Sequence, residues 1–301
     1  MNTDIRDQLR KTLVEEIAPS FRVTIPYEQQ REVLDAIGAG SALPDGLEEE
    51  RGELAGLTTT WLVAPGGSTE HALLHLHGGG YVVGSCISHR GLAAWLSASV
   101  RVQVVLPEYR LAPEHPCPAA IDDAVAAYRA LLDSGLAPER VALSGDSAGG
   151  GLALATLMAL RDAGEPLPAA AFLLSPWTDL TLSGESMKTR RQLDPWLEEP
   201  MLTKFSTLYR GELAPDDPRV SPLLGAFSGL PPLLVQVGDH EILRSDSIRL
   251  SERAEAAGVE LSLEVADALW HVYQLFAPVL PDATEALDRA GEWLRAKLQI
   301  G

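Results

Sequence analysis

The sequence predicts an α/β fold in which helices cover both faces of a central, mostly parallel sheet. Two observations support this prediction. Short apolar runs of strand length alternate with longer amphipathic segments over most of the chain, as crossovers between parallel strands require. The 301 residues are also 46% hydrophobic and 22% charged, so they can bury one large sheet.

The individual elements follow from the spacing of apolar residues. The predicted strands are Thr58–Ala64, His71–Leu76, Val102–Leu106, Val141–Ser144, Ala169–Leu174, Pro232–Val237 and Leu261–Val265. The predicted helices are Ala119–Leu132, Ala148–Leu160, Leu243–Ala257 and Glu285–Leu298. Because these strands and helices alternate along the chain, most strand pairs are expected to be parallel.

Two segments depart from this alternation. Residues 1–50 carry helical patterning and loops without a good strand, and residues 184–218 combine helical patches with Pro- and Asp-rich breaks. We expect both segments to form a helical cap above a core made of residues 51–183 and 219–301. Their large apolar residues either line a pocket or pack the cap, and these are Leu13, Phe21, Trp196, Met201, Leu202, Phe205 and Leu208.

Charge and cysteine content restrict the possible partners and the compartment. The formal net charge is −18, from 42 acidic and 24 basic residues, which disfavours binding to nucleic acid or to anionic membranes. The first residues lack the apolar core of a signal peptide, and no apolar run of membrane-spanning length follows. Cys86 and Cys117 form no disulfide framework. We therefore expect a cytoplasmic protein without stable membrane anchoring.

A candidate nucleophile lies between the strand Val141–Ser144 and the helix Ala148–Leu160. The run from Gly145 to Gly149 places Ser147 at a sharp strand-to-helix turn, where the flanking glycines let the backbone close. The N-terminus of the following helix points its free N–H groups at the serine. The alternative is a glycine-rich tight turn with an incidental serine.

A second glycine-rich run, His77 to Gly80, directly follows the strand His71–Leu76. Acyl transfer passes through an oxyanion that needs fixed N–H donors, and consecutive glycines can turn their amides inward. We predict an oxyanion hole at Gly78, Gly79, Gly80 and Ala148, with the amides of Gly79, Gly80 and Ala148 as donors.

Two other interpretations of this region are weaker. A phosphate cradle would need the Lys-Ser/Thr pair of a P-loop, which is missing here. His71, His75 and His77 alternate on one strand face, as metal ligands can, but no carboxylate or cysteine ligand accompanies them. We expect His77 to orient the loop, and we expect no metal or organic cofactor.

A serine nucleophile needs a histidine base that is oriented by a carboxylate. His271 follows the last predicted strand, where the base should lie when the chain order is serine, acid, histidine. The acid should follow the preceding strand, Pro232–Val237. Glu241 is favoured there because its longer side chain reaches the histidine, while Asp239 and Asp246 remain alternatives.

Five motifs together resemble those of a known family. They are His77–Gly80, Tyr109–Pro116, Gly145–Gly150, Ser175–Leu180 and the Trp270-His271 pair. From about His71 onward, the chain resembles the bacterial branch of the hormone-sensitive lipase family of α/β-hydrolases. Many members carry the triad acid in an Asp-Pro-Leu run. Here that run reads Glu241-Ile242-Leu243, and this departure supports Glu241.

The resemblance implies an eight-stranded sheet, a helical cap and a carboxylesterase that favours short acyl chains on small-molecule esters. Members often form homodimers through the last strand and helix. A non-catalytic protein that binds a small ligand is one alternative, and an amidase, lactonase or acyltransferase would use the same residues. In the Tyr109–Pro116 loop we expect Arg110, Glu114 and His115 to hold one another. Asp146 and Asp179 are expected to be structural hydrogen-bonding partners.

Overall fold

The computed structural model describes residues 2–300 and contains an eight-stranded sheet. Two terminal residues lie outside the described residues: Met1, the first residue of the predicted range 1–50, and Gly301, the last residue of the range 219–301. The strands are β1 (Glu48–Leu54), β2 (Leu57–Val63), β3 (Ser68–Leu76), β4 (Val102–Pro107), β5 (Val141–Asp146), β6 (Ala170–Leu174), β7 (Leu233–Gly238) and β8 (Leu261–Ala266). Their order is β1-β2-β4-β3-β5-β6-β7-β8. Only the β1–β2 and β2–β4 pairs are antiparallel, so the predicted α/β class and mostly parallel sheet are confirmed.

Helices cover both faces of this sheet. The described helices are α1 (Asn2–Thr12), α2 (Tyr27–Ala39), α3 (Arg90–Val100), α4 (Ala119–Asp133), α5 (Ala148–Asp162), α6 (Ser186–Thr189), α7 (Glu199–Arg210), α8 (Arg244–Ala256) and α9 (Pro281–Lys297). Helices α4, α5 and α8 pack on one face, and α3 and α9 pack together on the other. Within residues 2–300, no helix combines the length and apolar character needed to cross a membrane.

The strand register explains how both cores fill. Successive side chains of a strand point to opposite faces, so Leu73 enters the core under α3 and α9 while Leu74 enters the core under α4 and α5. Each such buried leucine contributes roughly 1.5–3 kcal/mol. In the β3–β5 pair, Leu76 lies opposite Gly145. The loops that follow these two strands therefore leave the sheet side by side, which brings both glycine-rich runs together.

Two elements, strand β1 and helix α3, are absent from the sequence prediction. The expectation that residues 1–50 contain no strand is wrong, because β1 begins at Glu48. Its sequence, EEERGEL, is mostly charged and its side chains are largely exposed, so it has no apolar alternation. It is held by backbone pairing with β2 at the sheet edge. Helix α3, which contains Gly91 and three alanines, is not among the predicted helices.

The Tyr109–Pro116 loop is held by partners outside itself. Arg110 forms a two-pronged ion pair with Asp123 of α4, and Glu114 pairs with Arg31 of α2 at 2.8 Å. The expectation that Arg110 and Glu114 hold one another is therefore wrong. Arg31 also donates to the carbonyls of Val82 and Ala112, so it ties the N-terminal segment to the chain after the glycine run.

The N-terminal segment contacts the insertion. The rings of Phe21 and Trp196 meet edge to face with centroids 6.2 Å apart, and Lys204 donates to the carbonyl of Val23. Arg22 and Glu198 form an ion pair. These contacts support a cap formed jointly by residues 1–50 and 184–218, a division that stays a prediction.

Candidate active site

Ser147 occupies the turn between β5 and α5, as predicted. Its backbone has φ +52° and ψ −120°, a strained conformation for a residue with a side chain. The turn closes only because its neighbours are glycines. A Cβ at Gly145 would overlap the carbonyl of Gly149, and a Cβ at Gly149 would overlap the carbonyl of Leu76. The hydroxyl is thus presented at the end of the parallel strands, where ligands of such sheets bind.

The structure brings Ser147, His271 and Glu241 into one hydrogen-bonded chain. Nε2 of His271 lies 2.9 Å from Oγ of Ser147, and Nδ1 lies 2.7 Å from Oε2 of Glu241. Both His271 and Glu241 are buried. Burial alone would lower the pKa of His271, but the charge of Glu241 and its hydrogen bond outweigh this effect and raise the pKa above its ordinary value.

Ser175 is a partner of this chain that the sequence reasoning missed. Its hydroxyl donates to Oε1 of Glu241 at 2.7 Å and accepts the N–H of Val272 at 3.0 Å. The N–H of Gly238 also donates to Oε1 of Glu241, at 2.6 Å. Ser175 therefore connects the carboxylate to the backbone directly after His271. The Ser-Pro-Trp run marked this residue, but only the fold shows what it touches.

The two alternative acids have other partners. Asp239 forms ion pairs with Arg190 and Arg244 at 3.2 and 2.9 Å. Oδ2 of Asp246 accepts the N–H groups of Thr178 and Asp179 in the loop after β6. Burial raises the pKa of Asp246 to about 7. Because neither side chain hydrogen-bonds to His271, the geometry favours Glu241.

The glycine run after β3 lies beside this chain. Gly79 and Gly80 have φ +115° and +63°, and in residues 2–300 no acceptor pairs with their amides or with that of Ala148. Gly78 differs, because its N–H donates to Oδ1 of Asp146 at 3.0 Å. The inclusion of Gly78 among the oxyanion-hole residues is thus corrected: its amide is already used inside the protein. Gly79, Gly80 and Ala148 stay as the predicted donors.

Known proteins resemble this chain in sequence. The sequence pattern of the α/β-hydrolase fold family matches residues 73–275. The chain belongs to this family. It is 45% identical to an acetyl-hydrolase of Streptomyces hygroscopicus over 238 residues, or 79% of either chain. It is 39% identical to an esterase of Acinetobacter venetianus, over 80% of this chain and 79% of that one.

Comparison with solved structures identifies the branch of the α/β-hydrolase family to which this chain is similar. An esterase from the bacterial hormone-sensitive lipase family superposes with a TM-score of 0.94 at 43% identity, over 99% of both chains. An esterase/lipase from an uncultured bacterium gives 0.93 at 41% identity, over 98% of this chain and 99% of that one. The predicted resemblance to the bacterial hormone-sensitive lipase branch is confirmed.

A buried polar cluster lies beneath the active site of this hydrolase. Asp146 lies 3.2 Å from Nε2 of both His75 and His89. Although burial opposes ionisation, these imidazoles hold the pKa of Asp146 below its usual range. Since Asp146 also accepts the N–H of Gly78, the cluster fixes the glycine run against the residue before Ser147. Asp146 thus has the structural role expected of it.

His77 also supports the loop. Its ring stacks on Tyr109 at 4.2 Å, and the Tyr109 hydroxyl donates to the His77 carbonyl at 2.6 Å. Burial lowers the pKa of His77 to about 3, so the ring is neutral at ordinary pH. His71 faces Ser68 instead, at 3.3 Å. Among residues 2–300, no three His, Cys, Asp or Glu side chains are grouped so that they could hold a metal ion.

An apolar cavity of about 130 Å³ opens onto Ser147 and His271. Of the seven apolar residues singled out in the sequence, five line this cavity: Phe21, Trp196, Met201, Leu202 and Phe205. Leu13 is buried against Trp270, and Leu208 packs on the main core. The walls therefore come from both predicted cap segments, while the floor carries Gly79 and Gly80.

Proposed function

We propose that this chain is a serine carboxylesterase that hydrolyses short-chain acyl esters through Ser147, His271 and Glu241. The observation that carries the proposal is the continuous hydrogen-bonded chain from Ser147 through His271 to Glu241, which ends in an apolar cavity. Relatives named esterase and acetyl-hydrolase support the reaction class.

The reaction proceeds by two acyl-transfer steps. His271 takes the proton of the Ser147 hydroxyl while Oγ attacks the ester carbonyl carbon. The amides of Gly79, Gly80 and Ala148 stabilise the oxyanion, each worth on the order of 10²–10³ in rate. His271 then protonates the leaving alcohol. Water, deprotonated by His271, attacks the acyl-enzyme and releases the acid and free Ser147.

Short acyl chains suit the shape of this cavity. Phe21, Trp196 and Phe205 project aromatic rings into it, and its volume is small. Phe21 and Phe205 are buried, and rings held by close packing yield little to a longer chain. The Streptomyces relative, an acetyl-hydrolase, supports the same preference.

The test compares hydrolysis of p-nitrophenyl esters from acetate to decanoate by the wild type and by Ser147→Ala. We expect kcat/KM to be highest for short acyl chains and to fall with chain length, and we expect Ser147→Ala to lose activity. Ligand binding without hydrolysis would favour the non-catalytic alternative. Faster turnover of amides or lactones, or acyl transfer to an added alcohol in place of hydrolysis, would favour the other enzyme classes.

We also propose a homodimer that pairs the edge strand β8, as the family resemblance implies. Strand β8 pairs with β7 alone, so its outer edge has free backbone groups. The side chain of Val265 on this strand is 40% exposed. Light scattering should give about twice the monomer mass of 32.3 kDa. A monomeric mass at micromolar concentration would contradict the proposal.

A further inference from the structure

Asp194 lies where the insertion meets the catalytic residues. It follows α6 in a turn, and its Oδ1 accepts the N–H groups of Trp196 and Leu197, both at 2.9 Å. An aspartate that accepts amides two and three residues ahead fixes the local backbone. Trp196 and Leu197 both line the catalytic cavity, and the Trp196 ring lies edge-on to His271 at 6.3 Å. Asp194 therefore sets the position of one cavity wall.

The second oxygen of the same carboxylate reaches the hydrolase core. Oδ2 of Asp194 accepts the N–H of Ile242 at 2.9 Å, and Ile242 directly follows Glu241. One side chain thus holds the backbone of the cavity wall and the backbone of the triad acid.

The charge of Asp194 also acts on His271. In residues 2–300, no Lys or Arg nitrogen lies within ion-pair distance of the Asp194 carboxylate, whose hydrogen bonds are the three to backbone amides. Burial raises the pKa of Asp194 to about 6, although the nearby His271 opposes this rise. In turn, the negative charge of Asp194 adds to that of Glu241 in raising the pKa of His271 against the effect of burial.

Charged groups from several elements surround Asp194 and His271. His271 faces Glu241 after β7, Asp194 from the insertion and Asp146 at the end of β5. A cavity next to Asp194 is lined by charged side chains of the N-terminal segment and the insertion, namely Arg10, Arg22, Arg191, Glu198 and Glu199.

We propose that Asp194 is a positioning residue for the hydrolysis reaction, which joins the cavity wall to the triad acid and supports the protonated form of His271 with a second negative charge. This inference rests on the proposed function. It assigns a role in the reaction to a residue that does not touch the reacting atoms.

The test uses two substitutions that differ in whether the cavity wall is still held. Asp194→Asn keeps an oxygen that can accept the Trp196 and Leu197 amides, but it removes the charge and the acceptor of the Ile242 N–H. The acid limb of the kcat/KM profile should move to lower pH by up to about one unit, as loss of a nearby opposite charge predicts. One unit means that the imidazolium formed in the transition state loses a tenfold stabilisation, so kcat above the acid limb should fall by up to about tenfold. KM for a short-chain ester should change little.

Asp194→Ala also removes the acceptors, so the wall is released and KM should rise in addition. Asp217→Asn is the matched control. Asp217 lies in the same insertion and likewise accepts an amide two residues ahead, that of Arg219 at 2.9 Å, but it does not line the cavity. Its substitution should leave kcat, KM and the acid limb as in the wild type.

The pH profile decides the outcome. An acid limb of Asp194→Asn that coincides with that of the wild type would overturn the proposal, and so would an equal KM increase in the Asn and Ala variants. If Asp194→Ala does not fold, the acid limb of Asp194→Asn alone decides. Failure of the proposed function gives a different result, because the wild type itself would then not hydrolyse esters.

Discussion

Gly80 offers a direct way to displace the predicted oxyanion donors. Its φ is +63°, and a Cβ at this position would overlap Cδ2 of Phe205 and lie 3.1 Å from Cε2 and 3.2 Å from Cγ. Phe205 is a buried residue of α7, so its ring is held by the surrounding side chains. The substitution Gly80→Ala therefore forces either the glycine loop or the ring to move.

The size of the effect follows from this overlap. To reach an ordinary carbon contact of 3.4 Å, the Cβ and the ring must separate by about 1 Å more than the present structure allows. A misplacement of about 1 Å can cost on the order of 10² in rate, which is also the lower value for the loss of one oxyanion donor. We therefore expect kcat of Gly80→Ala to fall by about 100-fold.

The control separates the overlap from backbone strain. Gly258 has φ +70°, and a Cβ there meets no atom within 4 Å. Gly258→Ala should thus carry the same backbone cost without the overlap, and its kcat on p-nitrophenyl acetate should stay near that of the wild type. Adding Phe205→Leu to Gly80→Ala should restore part of the lost kcat, because it removes the ring. The reasoning is refuted if kcat of Gly80→Ala lies within about threefold of the Gly258→Ala value, far less than loss of a donor costs.

Further predictions concern the base and its acid. Glu241→Gln should lower kcat by roughly 10³–10⁴-fold, because an amide can neither hold the His271 tautomer nor stabilise the imidazolium. Asp239→Asn should keep most of the activity, since Asp239 pairs with arginines instead, and the reverse order in steady-state assays would make Asp239 the acid. Because the pKa of His271 is raised and its neutral form is the base, the acid limb of kcat/KM should lie above pH 6.5. A limb below that value in the wild type would show that Glu241 does not act on His271 as the geometry implies.

Local sequence patterns were sufficient to predict the elements whose formation depends on a single local feature of the sequence. Buried parallel strands such as β5 and β7 are continuous apolar runs, and the elbow at Ser147 needs glycines at fixed offsets. The place of His271 follows from the chain order of the triad. Strand β1 was not predicted because its sequence shows no apolar alternation. It forms by backbone pairing with β2.

Contacts between distant segments could not be predicted from the sequence. Arg110 finds Asp123 only because α4 packs beside its loop, and the bond from the Ile242 N–H to Asp194 depends on how the insertion sits on the core. The same holds for Gly78, whose amide is taken by Asp146. Each residue stood in a marked motif or segment, but its partner lies many residues away and is chosen by tertiary packing.

Covalent labelling of Ser147 tests the central claim most directly. The protein is treated with diethyl p-nitrophenyl phosphate, which phosphorylates activated serines, and its intact mass and peptides are measured. We predict one diethylphosphoryl group per chain, on the peptide that contains Ser147, with loss of esterase activity in proportion to labelling and no label on Ser147→Ala. A label on another residue, or full activity after labelling of Ser147, would contradict the account.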